Sequence, residues 1–160
     1  MKTLDVSQQI IGYDQKPVPQ GGTQIVDEHG KALATVQVVA NEKAAERLQS
    51  FTDGAGLKLK LDTTPITLKL ILLVYLRQAG QMVDAAGSVF NETDQALLHE
   101  IALKIAGNST LELGDTEFDL LKRLADSGKV KPAQGDAMPL YGNEIRMEVR
   151  RLVRAAPEKG

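Results

Sequence analysis

Four arginines near the C-terminal end of the chain are the residues whose type and spacing best suit binding chemistry. Arg146, Arg150 and Arg154 recur at intervals of four, with Arg151 beside them, and on a helix this spacing places them along one face. A guanidinium group can donate two parallel hydrogen bonds to a carboxylate or a phosphate. The arginine cluster (Arg146, Arg150, Arg151 and Arg154) is therefore the predicted partner-binding site.

Two other interpretations of the arginine cluster stay open. One is a solvent-exposed helix face, because cations are favourable near a helix C-terminus. The other is contact with nucleic acid. No aromatic residues alternate with the arginines, and the net charge of the chain is −2, so the sequence favours a protein partner over nucleic acid.

The remaining residues that could do chemistry do not form a catalytic pattern. The chain has two histidines, His29 and His99, and no cysteine, which is too few ligands for a typical zinc site. No serine lies in a G-x-S-x-G motif. Asp115, Glu117 and Asp119 are spaced by two, which spreads their carboxylates around a helix. We therefore predict a protein that is not an enzyme and that has no cofactor or metal.

Composition restricts the class of protein further. Aromatic residues make up 4% of the 160 residues, so the core must be aliphatic. The longest apolar run, Leu70 to Leu76, is far shorter than the roughly 18 residues of a membrane span, and no secretion signal is visible. We expect a soluble cytoplasmic protein with no membrane contact.

Charge is distributed unevenly along the chain. Residues 63–128 carry five Lys/Arg against nine Asp/Glu, a balance of −4, whereas residues 129–160 carry seven against four, a balance of +3. Residues 1–62 are nearly neutral, with seven against eight. An acidic middle and a basic tail predict that the tail meets an acidic surface, such as the middle segment of another copy.

The elements of the N-terminal part are predicted to be short. Residues 1–22 read as an extended arm that contains Pro17 and Pro19, which exclude a helix. A β-hairpin follows, with strands at 23–26 and 32–39 and Gly30 in the turn. A helix over 42–51 and an alternating strand over 57–61 complete a small sheet region. We expect the first domain, residues 1–62, to comprise this arm and sheet.

The rest of the chain is predicted to be mainly helical. A helix over 67–79 is apolar on nearly every side, which is typical of a central core helix. Three further helices are expected over 92–106, 115–126 and 143–156, separated by loops over 81–90 and 129–142. We expect the second domain, residues 63–160, to be a core of about four helices with a basic C-terminal helix. The predicted fold class is α+β.

Four short stretches resemble a family of small helical proteins encoded by tailed bacteriophages and prophages. They are Pro65-Ile66-Thr67-Leu68, Ile101-Ala102-Leu103-Lys104-Ile105, Leu111-Glu112-Leu113 and Glu117-Phe118-Asp119-Leu120-Leu121-Lys122. The resemblance covers about 60 residues from Thr64 onward. It implies a phage or prophage origin, and with it a location in the cytoplasm of a host cell or in a virion, and it transfers no catalytic motif.

These observations together predict a phage-type structural or assembly subunit. It would act through protein–protein contacts with copies of itself or with other phage proteins, using the arm and the arginine cluster. The alternative is a small regulatory or inhibitory protein that binds a host protein or nucleic acid through its arginine-rich C-terminal helix.

Overall fold

A computed structural model of the chain describes residues 1–20, 23–36, 42–61, 64–131 and 135–158. The helices are α1 (Glu42–Gly54), α2 (Leu68–Gln78), α3 (Glu92–Gly107), α4 (Asp115–Ser127) and α5 (Asn143–Arg154). The strands are β1 (Lys2–Asp5), β2 (Thr23–Val26), β3 (Ala32–Val36), β4 (Lys58–Leu61), β5 (Val83–Asp84), β6 (Gly87–Ser88), β7 (Thr110–Leu113), β8 (Lys129–Val130) and β9 (Met138–Pro139). Strands and helices are both present, so the predicted α+β class is confirmed.

The chain forms two compact units. The helical unit comprises Met1–Val18 and Ile66–Gly160, and the sheet unit comprises Pro19–Pro65. The predicted boundary after residue 62 falls close to the second junction. The predicted N-terminal domain, however, differs from the structure at its beginning, because the first eighteen residues belong to the helical unit.

The sheet unit contains a three-stranded antiparallel sheet and one helix. The strand order is β3-β2-β4, with Thr23 opposite Val36 on one side and opposite Leu61 on the other. Gly30 has a φ of +79° in the β2–β3 turn, which is a conformation that glycine adopts without strain. The predicted hairpin, α1 and β4 are therefore confirmed, while residues 37–39 of the predicted second strand lie outside the described residues.

The core of the helical unit is built around α2. Its side chains Leu68, Ile71, Leu72 and Tyr75 are fully buried, and the helix contacts α3, α4 and α5. Thr67 caps its N-terminus by accepting a hydrogen bond from the amide of Leu70. The central position predicted from the apolar sequence of this helix is confirmed.

The N-terminal segment is not a free arm, which corrects the prediction. β1 pairs with β7 in antiparallel register from Lys2–Leu113 to Asp5–Thr110, and Leu4, Val6 and Ile10 are buried in the core. The carbonyl of Val6 accepts a hydrogen bond from the amide of Lys69 in the first turn of α2. The segment thus satisfies backbone groups that a helix N-terminus leaves unpaired.

The two regions predicted as loops also contain short strands. β5 pairs with β6 within residues 81–90, and β8 pairs with β9 within residues 129–142. These two-residue strands are too short to produce an alternating sequence pattern. Among the described residues, no helix combines the length and the hydropathy that crossing a membrane requires.

Candidate functional site

Helix α5 carries the arginine cluster on the outside of the helical unit. Val149 and Val153 are fully buried and Leu152 nearly so, because α5 packs this apolar stripe against α4 and α2. This burial fixes the rotation of α5 about its axis. Arg146 and Arg150 are half-buried, whereas Arg151 and Arg154 are exposed.

Two of the arginines bind one carboxylate on the neighbouring helix. The Nε of Arg150 lies 3.0 Å from Oδ1 of Asp126, and an Nη of Arg154 lies 2.6 Å from Oδ2. Asp126 is in the last turn of α4, so these contacts cross the α4–α5 interface. We call Asp126, Arg150 and Arg154 the Asp126 end of the site.

Arg151 is separated from the other three arginines. It donates two hydrogen bonds to Glu148, at 3.0 and 2.5 Å, on its own helix. It also lines a cavity with Tyr13, Met147 and other residues of the 11–15 segment and α5. The predicted cluster is therefore not one continuous surface, because Arg151 points away from Asp126.

Arg146 lies beside a cavity of about 470 Å³ formed by the β5–β6 hairpin, the end of α4, β8 and α5. Three cationic side chains from three elements line this cavity, namely Arg123, Lys129 and Arg146. Two carboxylates, Asp84 and Asp126, line it as well. We call Arg123, Lys129 and Arg146 the cavity end of the site.

Arg123 is held in place by three contacts. An Nη donates to the carbonyl of Val89 at 2.6 Å, and the other Nη lies 3.6 Å from Asp94. Its guanidinium also stacks over the ring of Phe90, 5.1 Å from the ring centre. These contacts orient the cation at the wall of the cavity without neutralising it fully, since an ion pair of 3.6 Å at an exposed site is weak.

Arg146 and Lys129 have few partners within the part of the chain that the structure describes. Arg146 donates one hydrogen bond, from an Nη to Oδ1 of Asn143 at 3.3 Å. Lys129 is exposed, and its side chain makes no hydrogen bond or ion pair with a described residue. Most of the donor groups of these two side chains are consequently free to bind an external acceptor.

Gly128 brings the cavity wall close to the core. It has a φ of +57°, and a Cβ there would lie 2.9 Å from the hydroxyl of Tyr75 and 3.6 Å from Nε of Arg146. Tyr75 is fully buried and its hydroxyl has no hydrogen-bond partner among the described residues. Burial raises the pKa of Tyr75 to about 12, although the neighbouring Arg146 acts in the opposite direction.

The cationic side chains on this side of the helical unit form one basic face. It consists of Lys122, Arg123, Lys129, Arg146, Arg150 and Arg154, and the cavity residues share Arg123 and Asp126 with an adjoining depression that Lys122 and Arg154 line. The carboxylates that line the two depressions are Asp84, Asp119 and Asp126. Among the described residues that line these two depressions, five cations thus face three anions, and Arg150 joins the face through its ion pair with Asp126.

The sequence patterns did not indicate the contributions of Lys122, Arg123 and Lys129 to this face. Lys122 and Arg123 lie within the segment of net charge −4, and Lys129 lies in a predicted loop. The one signal available was that Lys122-Arg123 and Asp126 are close enough in sequence to share a side of α4. Which side of α4 faces α5 depends on packing.

The other candidate residues have structural contacts. Glu117 binds Lys104 at 2.6 Å, and Asp119 binds Lys122 at 2.9 Å. In the sheet unit His29 lies 3.5 Å from Glu28. In the helical unit the exposed His99 lines a groove between α2 and α3. Within the described residues, no group of three or more histidine or acidic side chains is arranged to hold a metal ion.

Comparison of the chain with protein families, with curated proteins and with solved structures finds no match.

Proposed function

We propose that this chain is a phage-type structural or assembly subunit that acts through protein–protein contacts and is not an enzyme. In this proposal the basic face docks against an acidic surface on another copy of the chain. The observation that carries the proposal is the meeting of six cations from α4, β8 and α5 around three carboxylates, five that line the two depressions and Arg150 beside Asp126. The bacteriophage origin rests on the sequence resemblance alone.

Charge complementarity favours a second copy as the partner. The whole chain has a net charge of −2. Six cations and three carboxylates give the basic face a balance of +3, so the remaining residues carry −5. A protein with this distribution attracts the acidic surface of its own copies, and the attraction is strongest at low salt.

Residue types on the basic face favour protein over nucleic acid. Arginine is enriched at the centres of protein interfaces. Binding to single-stranded nucleic acid relies on exposed aromatic side chains as stacking platforms, and Phe118 and Tyr75 near this face are buried. Asp126 also forms ion pairs with Arg150 and Arg154, which lowers the positive charge available to phosphates.

The test is the solution mass of the full chain, measured by light scattering over a range of protein and salt concentrations. We expect a defined oligomer at low salt that dissociates as salt rises. The double variant Arg123→Glu/Lys129→Glu should be monomeric under all conditions. Arg77→Glu is the matched control, because Arg77 is an exposed cation at the end of α2, outside the basic face, and this variant should associate normally.

Two results would contradict the proposal. One is a wild-type chain that is monomeric at every salt and protein concentration. The other is an oligomer that both charge-reversed variants leave intact. Deletion of residues 1–22 is not a suitable test, because it would remove β1 and the buried Leu4, Val6 and Ile10 from the core.

A further inference from the structure

We propose that the cavity end of the basic face is a binding site for a phosphate oxyanion, held by Arg123, Lys129 and Arg146. This site is independent of the docking of a second copy, because it needs only groups of one chain. It concerns the cavity of about 470 Å³ between the β5–β6 hairpin, the end of α4, β8 and α5.

Donor groups at this cavity outnumber their acceptors. A guanidinium has five N–H donors and an ammonium has three. Arg146 donates to Asn143 only, at 3.3 Å, and Lys129 donates to no described residue. Arg123 donates to the carbonyl of Val89 at 2.6 Å, which leaves further N–H groups on its guanidinium. A tetrahedral oxyanion can accept from all three side chains at once, since each of its oxygens is a strong acceptor.

Each cation is contributed by a different element of the fold. Arg123 is on α4 and is braced by Phe90 and Asp94. Lys129 begins β8, and Arg146 lies in the first turn of α5 above Gly128 and Tyr75. Three cations that are placed from three sides lose less conformational entropy on binding than three on a mobile loop would.

The two carboxylates of the cavity have different effects on an anion. Asp126 is bound by Arg150 and Arg154, so its charge is largely compensated on the side away from the cavity. Asp84 forms no ion pair with any cation among the described residues. Its Oδ1 accepts a hydrogen bond from the amide of Ala86 at 2.8 Å in the β5–β6 turn. Asp84 is therefore the group that opposes anion binding, and this role makes it a sensitive test residue.

The cavity is large enough for a small anion. A volume of about 470 Å³ admits a phosphate ion together with bridging waters. Arginine recognises phosphate in bidentate fashion. A carboxylate offers two oxygens and one charge, so it uses fewer of the three cations than a phosphate does.

The experiment is a titration of the full chain with inorganic phosphate at pH 7, at constant ionic strength kept by sodium chloride. Binding is followed by the amide signals in ¹H–¹⁵N correlation spectra. We expect saturable shifts at Gly128, Lys129 and their neighbours. Acetate at equal ionic strength should bind at least about fivefold more weakly, because it makes fewer charge-assisted hydrogen bonds.

Variants of opposite expected sign test the assignment. Lys129→Gln and Arg146→Gln should each weaken phosphate binding about five- to tenfold. Asp84→Asn should strengthen it by a similar factor, because it removes the opposing charge and keeps the oxygen that accepts from Ala86. Arg151→Gln is the control and should leave the affinity unchanged, since Arg151 is paired with Glu148 outside this cavity.

Shifts that rise linearly without saturation, or that chloride alone reproduces, would overturn the proposal. So would an affinity that none of Lys129→Gln, Arg146→Gln and Asp84→Asn changes. Should Arg146→Gln fail to fold, Lys129→Gln and Asp84→Asn decide the outcome, because Lys129 and Asp84 are exposed. Phosphate binding by a chain that stays monomeric would support this site while contradicting the proposed assembly function.

Discussion

The two ends of the basic face use the same kind of side chain for different purposes. At the Asp126 end, Arg150 and Arg154 place their donors on one carboxylate of α4, at 3.0 and 2.6 Å. At the cavity end, Arg146 lies one turn before Arg150 and two turns before Arg154 on the same helix. Its partner is the side-chain amide of Asn143, at 3.3 Å. The first pair joins two helices, whereas Arg146 keeps donors for an external ligand.

The difference arises from where α4 ends. Asp126 is in the last turn of α4, and the chain turns away at Gly128, so α4 presents no further carboxylate to the beginning of α5. Arg146 instead lies over the turn itself. An arginine repeat at intervals of four can therefore combine a structural contact with a binding group, because the partner helix is shorter than the repeat.

The largest expected effect concerns the turn beneath the cavity end. Gly128→Ala should destabilise the helical unit by roughly 2–5 kcal/mol, because alanine is strained at positive φ and its Cβ would overlap the hydroxyl of Tyr75. Urea unfolding followed by circular dichroism measures the change. Gly107→Ala is the matched control at the end of α3, where a Cβ would meet no atom within 4 Å. Equal stability of the two variants would contradict this explanation.

The second effect is a dependence of stability on alkaline pH. It arises from the buried Tyr75 beneath Arg146 and not from the arginines at the surface. Burial raises the pKa of Tyr75 to about 12, above the value near 10 of an unfolded chain. The stabilisation is complete below pH 10 and is lost as pH rises toward 12, because the unfolded state then ionises more readily. The loss should reach at most about 3 kcal/mol.

The measurement for Tyr75 is the free energy of unfolding between pH 8 and pH 12. The Tyr75→Phe variant provides the baseline for every other effect of alkaline pH on stability. As pH rises, the free energy of unfolding should fall more for the wild-type protein than for Tyr75→Phe. Parallel profiles would show that Tyr75 ionises equally well in the folded state.

A smaller effect is expected when the Asp126 end is broken. Asp126→Asn removes the charge that Arg150 and Arg154 share and should destabilise the helical unit by about 1–2 kcal/mol. Thermal or urea unfolding at low salt measures it, and the difference should shrink at high salt. Glu148→Gln keeps a hydrogen-bonding side chain beside the exposed Arg151 and should cost less than about 0.5 kcal/mol. A reversed order would mean that the α4–α5 contact is not the stabilising one.

The smallest expected effect is a gain in stability instead of a loss. Tyr75→Phe at neutral pH should stabilise the helical unit by about 1 kcal/mol, because it removes a buried hydroxyl that has no partner among the described residues. Tyr13→Phe, at a side chain that is 74% exposed, is the control and should be neutral. A loss of stability in Tyr75→Phe would mean that a bound water satisfies the hydroxyl.

The helices could be predicted because their signals are local. Thr67 and Asn91 cap α2 and α3 through bonds to residues three positions away, and Gly128 ends α4 in the left-handed conformation. Each signal depends on the neighbouring residues alone. The pairing of β1 with β7 could not be predicted, because two four-residue strands far apart in sequence carry no mark of each other.

In the candidate site, too, the local arrangement could be predicted from the sequence and the contacts between elements could not. The spacing of Arg146, Arg150 and Arg154 shows that they share a side of one helix. It does not show that Asp126 lies opposite the last two, or that Arg123 and Lys129 lie beside the first. Those contacts depend on the angle at which α4 and α5 pack, which side-chain volumes throughout the core determine.

The pairing of the first strand also imposes an order on biosynthesis. β1 is translated well before its hydrogen-bond partner β7 at residues 110–113, and the amide of Thr3 further donates to the carbonyl of Pro157. The sheet unit, Pro19–Pro65, is continuous in sequence and has no such delay. Leu4, Val6 and Ile10 therefore lack their core partners in the nascent chain until α2 and β7 have been translated, and apolar residues that are exposed for this time favour aggregation before folding is complete.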